Sequence, residues 1–114
     1  SKMVGVAEQA AEQAAAKGIE IEIVDLRTLW PWDQEMVFAS VARTKRLMVV
    51  HEAVQVGGFG AEIAATVAEH MAHVLVAPIR RLGAPRAPIS YAKPLEDFLR
   101  ITPDKILGMA QEQM

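Results

Sequence analysis

Cysteine is absent from this 114-residue chain. That excludes disulfides, thiolate nucleophiles and cysteine metal sites, and it fits a reducing compartment such as a bacterial cytoplasm or a mitochondrial matrix. A basic run is also missing. Twelve Lys and Arg stand against fourteen Asp and Glu, a net charge of −2, and no stripe of positive potential exists to track phosphates, so nucleic acid is not an expected partner. No apolar stretch approaches the roughly 20 residues that span a bilayer, and the opening residues lack the basic-then-apolar order of a signal peptide. A membrane partner is therefore not expected. Internal repeats and low-complexity segments are absent too.

What remains is 52% apolar and 23% charged, the composition of a chain that can bury enough surface to offset its ordering entropy. The length allows one domain with one core, residues 1–114. Ser1 and Lys2 lead straight into an amphipathic helix with no strand before it, so the expectation is a piece of a longer polypeptide.

Alanines at 7, 10, 11, 14 and 15, with Met3, Val4 and Val6 near the same face, predict a packed helix over 3–17, closed by a left-handed Gly18. Ile19, Ile21 and Ile23 alternate with Glu20 and Glu22, the two-residue period of an edge strand over 19–24. Asp33 is placed to cap a second helix running to about Arg43, with Pro31 keeping Trp30 out of it. Leu47, Met48, Val49 and Val50 form a uniform apolar run too short for a helix, which predicts a central strand buried on both faces. A third helix over 59–71 presents Ile63, Ala64, Val67 and Met71. Val74, Leu75 and Val76 then begin another strand that resumes at Ile79 beyond Pro78, whose missing N–H marks an interruption. Residues 83–94 read as a surface excursion, Pro94 opens a short helix, and Thr102, Pro103 and Asp104 start a last one. Alternating helix and strand predict an α/β fold: a three-layer α/β/α sandwich with a mostly parallel sheet. Only about three strands are legible, which is marginal for a sheet covered on both faces, so an opening strand is either missing upstream or supplied by another chain.

The densest motif is Val49, Val50, His51, Glu52 and Ala53 followed by Gly57, Gly58, Phe59, Gly60, Ala61, Glu62 and Ile63. A strand entering a glycine-rich loop and a helix is where ligands sit in open α/β sheets, because free amides at the helix start attract anions. Against phosphate binding, the spacing is not GxGxxG, no lysine follows, and Glu62 brings negative charge into the first turn; the glycines are equally explained by a tight turn and close packing. His51 and Glu52 have the chemistry of an acid–base pair, but adjacent strand residues point to opposite faces, which favours an interface or hydrogen-bonding role. His70 and His73 near Glu69 lack a further ligand cluster and read as surface. Asp25 lacks the glycine fingerprint that a ribose-binding acid would follow. Trp30 and Trp32 either close the core or anchor a partner. Arg80, Arg81 and Arg86 form a local basic group.

Taken in order, Ile23 to Asp33 as a stretch, then Val50-His51-Glu52-Ala53, then Gly57 to Ile63, resemble successive signatures of the beta subunits of pyruvate, branched-chain 2-oxo acid and acetoin dehydrogenases. The last domain of those subunits is of the transketolase C-terminal type. Ala77-Pro78-Ile79-Arg80-Arg81, Pro94-Leu95-Glu96-Asp97 and Thr102 to Ile106 extend the likeness over essentially the whole chain. Two features depart from it: Ile89-Ser90 stands where a second proline-rich turn is common, and the opening strand of the domain is absent.

The resemblance implies a place in a heterotetramer of two alpha and two beta subunits that decarboxylates a 2-oxo acid on thiamine diphosphate with magnesium, passing the acyl group to a lipoyl arm. In that family the cofactor lies between the alpha subunit and the N-terminal domain of the beta subunit. This domain is thus expected to bind no cofactor, to hold no catalytic residue and to be inactive alone. Its implied partners are the alpha subunit, a second beta subunit, and the subunit-binding domain of the dihydrolipoyl acyltransferase, the last near Met114. His51, Glu52, Gly57, Gly58, Phe59 and Gly60 are the candidates to face partner subunits and the active-site entrance, with Trp30 and Trp32 as further interface candidates. The alternative is a stand-alone small-ligand or nucleotide-binding module using the loop at 57–60.

Overall fold

A computed structural model describes residues 2–26, 31–54, 58–84 and 101–114. Its elements in chain order are α1 (Lys2–Ala15), α2 (Gln34–Thr44), β1 (Met48–Val54), α3 (Phe59–Met71), β2 (Arg80–Ala84) and α4 (Pro103–Gln113). β1 and β2 pair in parallel, Met48 opposite Arg80, Val49 opposite Arg81 and Val50 opposite Leu82, with an irregularity before Val54 meets Ala84. Parallel neighbours need a crossover. α3 supplies it, and packs on both strands.

Two apolar clusters define the layers. On one face of the sheet, Trp32, Val37, Val41, Val49, Ile63 and Val67 are buried together, with Val24, Leu26, Leu47 and Phe59 packed against them. On the other, Ala10 of α1 meets Ile101 and Ile106, with Met48, Val50 and Leu82 against them. Successive residues of β1 therefore serve opposite layers, as the two-residue period of a strand requires. α2 and α3 cover the first face, and α1, packed on α4, covers the second. This is the expected α/β layering with a parallel sheet.

The helix ends follow local chemistry. Gly18 takes φ +79° after α1. Asp33 Oδ1 accepts from the Met36 amide at 3.0 Å at the start of α2, and Thr102 Oγ1 accepts from the Lys105 amide at 3.3 Å at the start of α4, with Pro103 in the first turn. α2 ends on Lys45, a non-glycine residue in the left-handed region at φ 62°, whose amide donates to Val41 O at 2.7 Å.

Two expectations from the sequence are corrected here. Residues 19–24 keep the alternation of a strand, with Ile19, Ile21 and Ile23 half-buried and Glu20 and Glu22 exposed, but among the described residues they join no ladder. They are tied to α2 instead, through Arg43 Nε, which donates to Glu22 Oε2 at 3.4 Å, and through Val24 and Leu26 in the core. The strand expected from Val74 begins only at Arg80. The Val76 amide donates to Lys45 O at 2.9 Å, Pro78 has no amide to give, and pairing opens when the Arg80 amide reaches Leu47 O at 3.2 Å. The sheet has two strands among the described residues. The short helix expected at Pro94 and the excursion beyond Ala84 lie outside them.

Candidate functional site

β1 carries His51 and Glu52 toward the end of the strand where α3 begins. Gly58 is the N-cap of α3 in an extended conformation, and its carbonyl accepts from the Ala61 amide at 3.0 Å. The helix then descends onto β1 at Gly60, which is buried. A Cβ placed on Gly60 would lie 2.5 Å from both Cδ2 and Nε2 of His51 and 3.0 Å from Cγ1 of Val49. The imidazole thus occupies the space that any larger residue at 60 would need. Close approach, rather than an unusual dihedral, is what glycine provides there.

This arrangement bears on both chemistries considered for the loop. Gly58, Phe59, Ala61 and Glu62 line an open depression on the surface. Glu62 stands exposed in the first helical turn, where its negative charge favours the helix macrodipole and opposes an anionic ligand. His51 is half-buried, seated against α3, and Glu52 follows it in β1. Gly57 and Trp30 lie outside the described residues. Trp32 is 5% exposed and closes the core beside Val37 and Val41, so of the two roles open to it the structural one is filled. His70 is exposed, with its ring 5.7 Å from that of Phe38. Among the described residues no three side chains of His, Asp or Glu converge as a metal ion would require.

A second locus sits at the opposite end of the strands. Gln113, 8% exposed, donates from Nε2 to Leu47 O at 2.8 Å and to Pro78 O at 3.2 Å, while Arg46 Nε donates to Gln113 O at 3.0 Å. Arg80 and Glu112 form an ion pair alongside. Met114 follows at 64% exposure, so the last residue projects from a fixed base. The individual roles of Gln113 and Arg46 escaped the sequence reading. One signal was available: Gln113 continues the stripe of Ile106 and Ala110 at three-to-four spacing, which marks it as inward-facing.

At the surface of α2, Arg43 bonds to the Glu22 carboxylate, and that hydrogen bond is the main cause holding the Glu22 pKa below its ordinary value; the same pair raises that of Arg43. No helix among the described residues is long and apolar enough to cross a membrane.

Comparison with known proteins places these features in a family context. The family model described as transketolase, C-terminal domain, matches residues 1–106. Among curated proteins, the chain is 40% identical over 111 residues to the acetoin:2,6-dichlorophenolindophenol oxidoreductase subunit beta of Bacillus subtilis, covering 97% of this chain and 32% of that protein. It is 45% identical over 102 residues to the mitochondrial 2-oxoisovalerate dehydrogenase subunit beta 2 of Arabidopsis thaliana, covering 90% and 28% respectively. Against the mitochondrial pyruvate dehydrogenase E1 component subunit beta-2 of Oryza sativa subsp. japonica the figures are 41% over 111 residues, 97% and 30%. The chain spans about a third of the length of these relatives.

Proposed function

Because the chain belongs to the transketolase C-terminal domain family, we propose that it serves as the closing domain of the beta subunit of a 2-oxo acid dehydrogenase, and that its task is subunit association rather than chemistry. The observation that carries this proposal is the seating of His51 on Gly60. A glycine turn that packs a helix tightly onto a strand makes a rigid, shaped surface. A phosphate cradle would instead keep the helix start open and free of acid.

In this proposal the loop at 51–60 faces a neighbouring alpha or beta subunit near the entrance to the active site. Thiamine diphosphate and magnesium are held elsewhere in the assembly, and supply the carbanion stabilisation that decarboxylation needs. Met114 offers the contact for the subunit-binding domain of the acyltransferase. The two loci lie at opposite ends of β1, whose 7 residues span about 20 Å at the usual rise per residue, so both contacts can form at once. A bacterial cytoplasm or a mitochondrial matrix would house such an assembly.

Replacing His51 by Ala in the intact beta subunit tests the role of the loop. Analytical ultracentrifugation with the alpha subunit should show weakened heterotetramer formation while circular dichroism of the beta subunit is preserved. Full assembly by the variant, or tight nucleotide binding by the wild-type chain at the 57–60 loop, would refute the proposal.

A further inference from the structure

The last turn of α4 is held in place by groups from outside the helix. That turn carries no basic residue of its own, although the macrodipole favours a cation beside the closing carbonyls. Arg46, two residues ahead of β1, stands in for one, its Nε donating to Gln113 O at 3.0 Å. Arg80, which opens β2, pairs with Glu112. Gln113 completes the set by donating from its carboxamide to Leu47 O and Pro78 O. Ile106, Leu107 and Ala110 are buried along with it, and apolar contacts of that kind leave a helix some freedom to slide or turn. A directed hydrogen bond does not, which is the use a buried polar group has at the end of an apolar stripe. Two of the large apolar side chains exposed among the described residues border this network. Met114, at 64%, follows Gln113 directly, and Val76, at 60%, bonds through its amide to Lys45 O, one residue before Arg46.

We propose that Gln113 and Arg46 are positioning residues for a partner contact, and that this contact extends from Met114 to Val76. This rests on the reading of Met114 as the site for the subunit-binding domain of the acyltransferase. The occupant is that same domain, because Val76 is continuous with Met114 through the bonds that link Lys45, Arg46 and Gln113. The last turn of a helix ordinarily frays, and a partner that meets a frayed turn must order it at a cost to affinity. The bonds to Arg46, Leu47 and Pro78 remove that cost before the partner arrives. Met114 and Val76 are left as a preformed apolar pair. The matching surface on the partner is apolar at its centre and polar around it, because Glu112 and Lys45 stand exposed beside them.

Calorimetric titration tests the positioning role: the intact beta subunit, assembled with its alpha subunit, is titrated with the isolated subunit-binding domain, and amide exchange is read on the same variants. Gln113→Leu should weaken binding about tenfold, mainly through a less favourable entropy. It should also speed exchange at 111–114 while the amides of 106–109 stay protected. Arg46→Met should act in the same way, and Arg46→Lys, which keeps a donor, should recover part of the affinity. Val76→Ser should weaken binding about threefold with exchange unaltered. Wild-type affinity in a variant whose last turn exchanges faster overturns the positioning role. Weakened binding with unaltered exchange in Gln113→Leu or Arg46→Met overturns it too, because it makes the side chain a direct contact. Should Gln113→Leu fail to fold, Arg46→Met decides. Full affinity in Val76→Ser refutes the extension beyond Met114. Absence of binding by the wild-type assembly removes the docking reading itself, whereas binding that no variant alters removes only the roles of Gln113, Arg46 and Val76.

Discussion

The imidazole of His51 lies where the first side-chain carbon of any residue other than glycine at position 60 would have to be, 2.5 Å from two of its ring atoms. The position of α3 on β1 and the orientation of His51 are therefore one structural fact. Ala at 60 cannot be absorbed by the ring alone, because Val49 Cγ1 closes the same space at 3.0 Å.

Gly60→Ala is expected to destabilise the chain by about 1–3 kcal/mol, the usual range for overpacking, measured by urea unfolding. The double variant with His51→Ala should recover much of that loss. A coupling energy near zero in the double-mutant cycle would show that the ring does not set the helix position.

Gln113 gives a sharper contrast between two nearly isosteric side chains. Its amide faces two carbonyl oxygens, at 2.8 and 3.2 Å. Gln113→Leu removes the donor and should lower stability by about 1–3 kcal/mol. Gln113→Glu sets an ionised acceptor against two acceptors, and should be the worse variant at neutral pH while regaining stability as the carboxyl protonates in acid. Chemical denaturation at neutral and acidic pH distinguishes the two.

Val67 has no exposed surface and sits at the centre of the α3 face of the core. Val67→Ala should reduce stability by about 2–3 kcal/mol through lost contacts and a residual cavity. Met36, half exposed on α2, should tolerate alanine within about 0.5 kcal/mol, as surface positions do. Thermal unfolding of both variants side by side checks the assignment of faces.

The Glu22 carboxyl titrates below its ordinary value because Arg43 bonds to it. A folded-state pKa lowered in this way adds stability that is fully present above the unfolded value of about 4.3 and fades as pH falls through the folded value. Glu22→Gln should therefore lower stability slightly at neutral pH and converge on the wild type in acid, flattening part of the acid limb; the effect is small because both partners are substantially exposed. Raising the salt concentration should shrink the difference in the wild type. Persistence of the acid limb in the variant would assign it to other carboxylates.

Most of the helical architecture could be read directly from residues. The 59–71 boundaries, the left-handed Gly18, the Asp33 cap and the Thr102–Pro103 start all depend on chemistry local to a few positions, and each appears in the structure. Strand pairing was less legible, because a ladder depends on what lies beside it. Residues 19–24 have strand alternation in their own sequence, but no described neighbour to complete it. At 74–79 the apolar run looked like a strand, yet the Val76 amide is engaged by Lys45 O across a distance in sequence that no local pattern reveals. At the candidate site, the order of His51, the glycines and α3 was evident from the motif, whereas the contact between an imidazole and Gly60 depends on how closely two elements pack. Trp32 was open to two roles because burial is a property of the assembled fold.

The carboxamide of Gln113 reaches back 66 residues to Leu47. The Gln113 side chain donates also to Pro78 O, so one carboxamide holds the carbonyls just ahead of both β1 and β2. Detachment of α4 from the sheet would therefore strip a donor from both strands at once, coupling the fraying of one helix to the loosening of two strand starts.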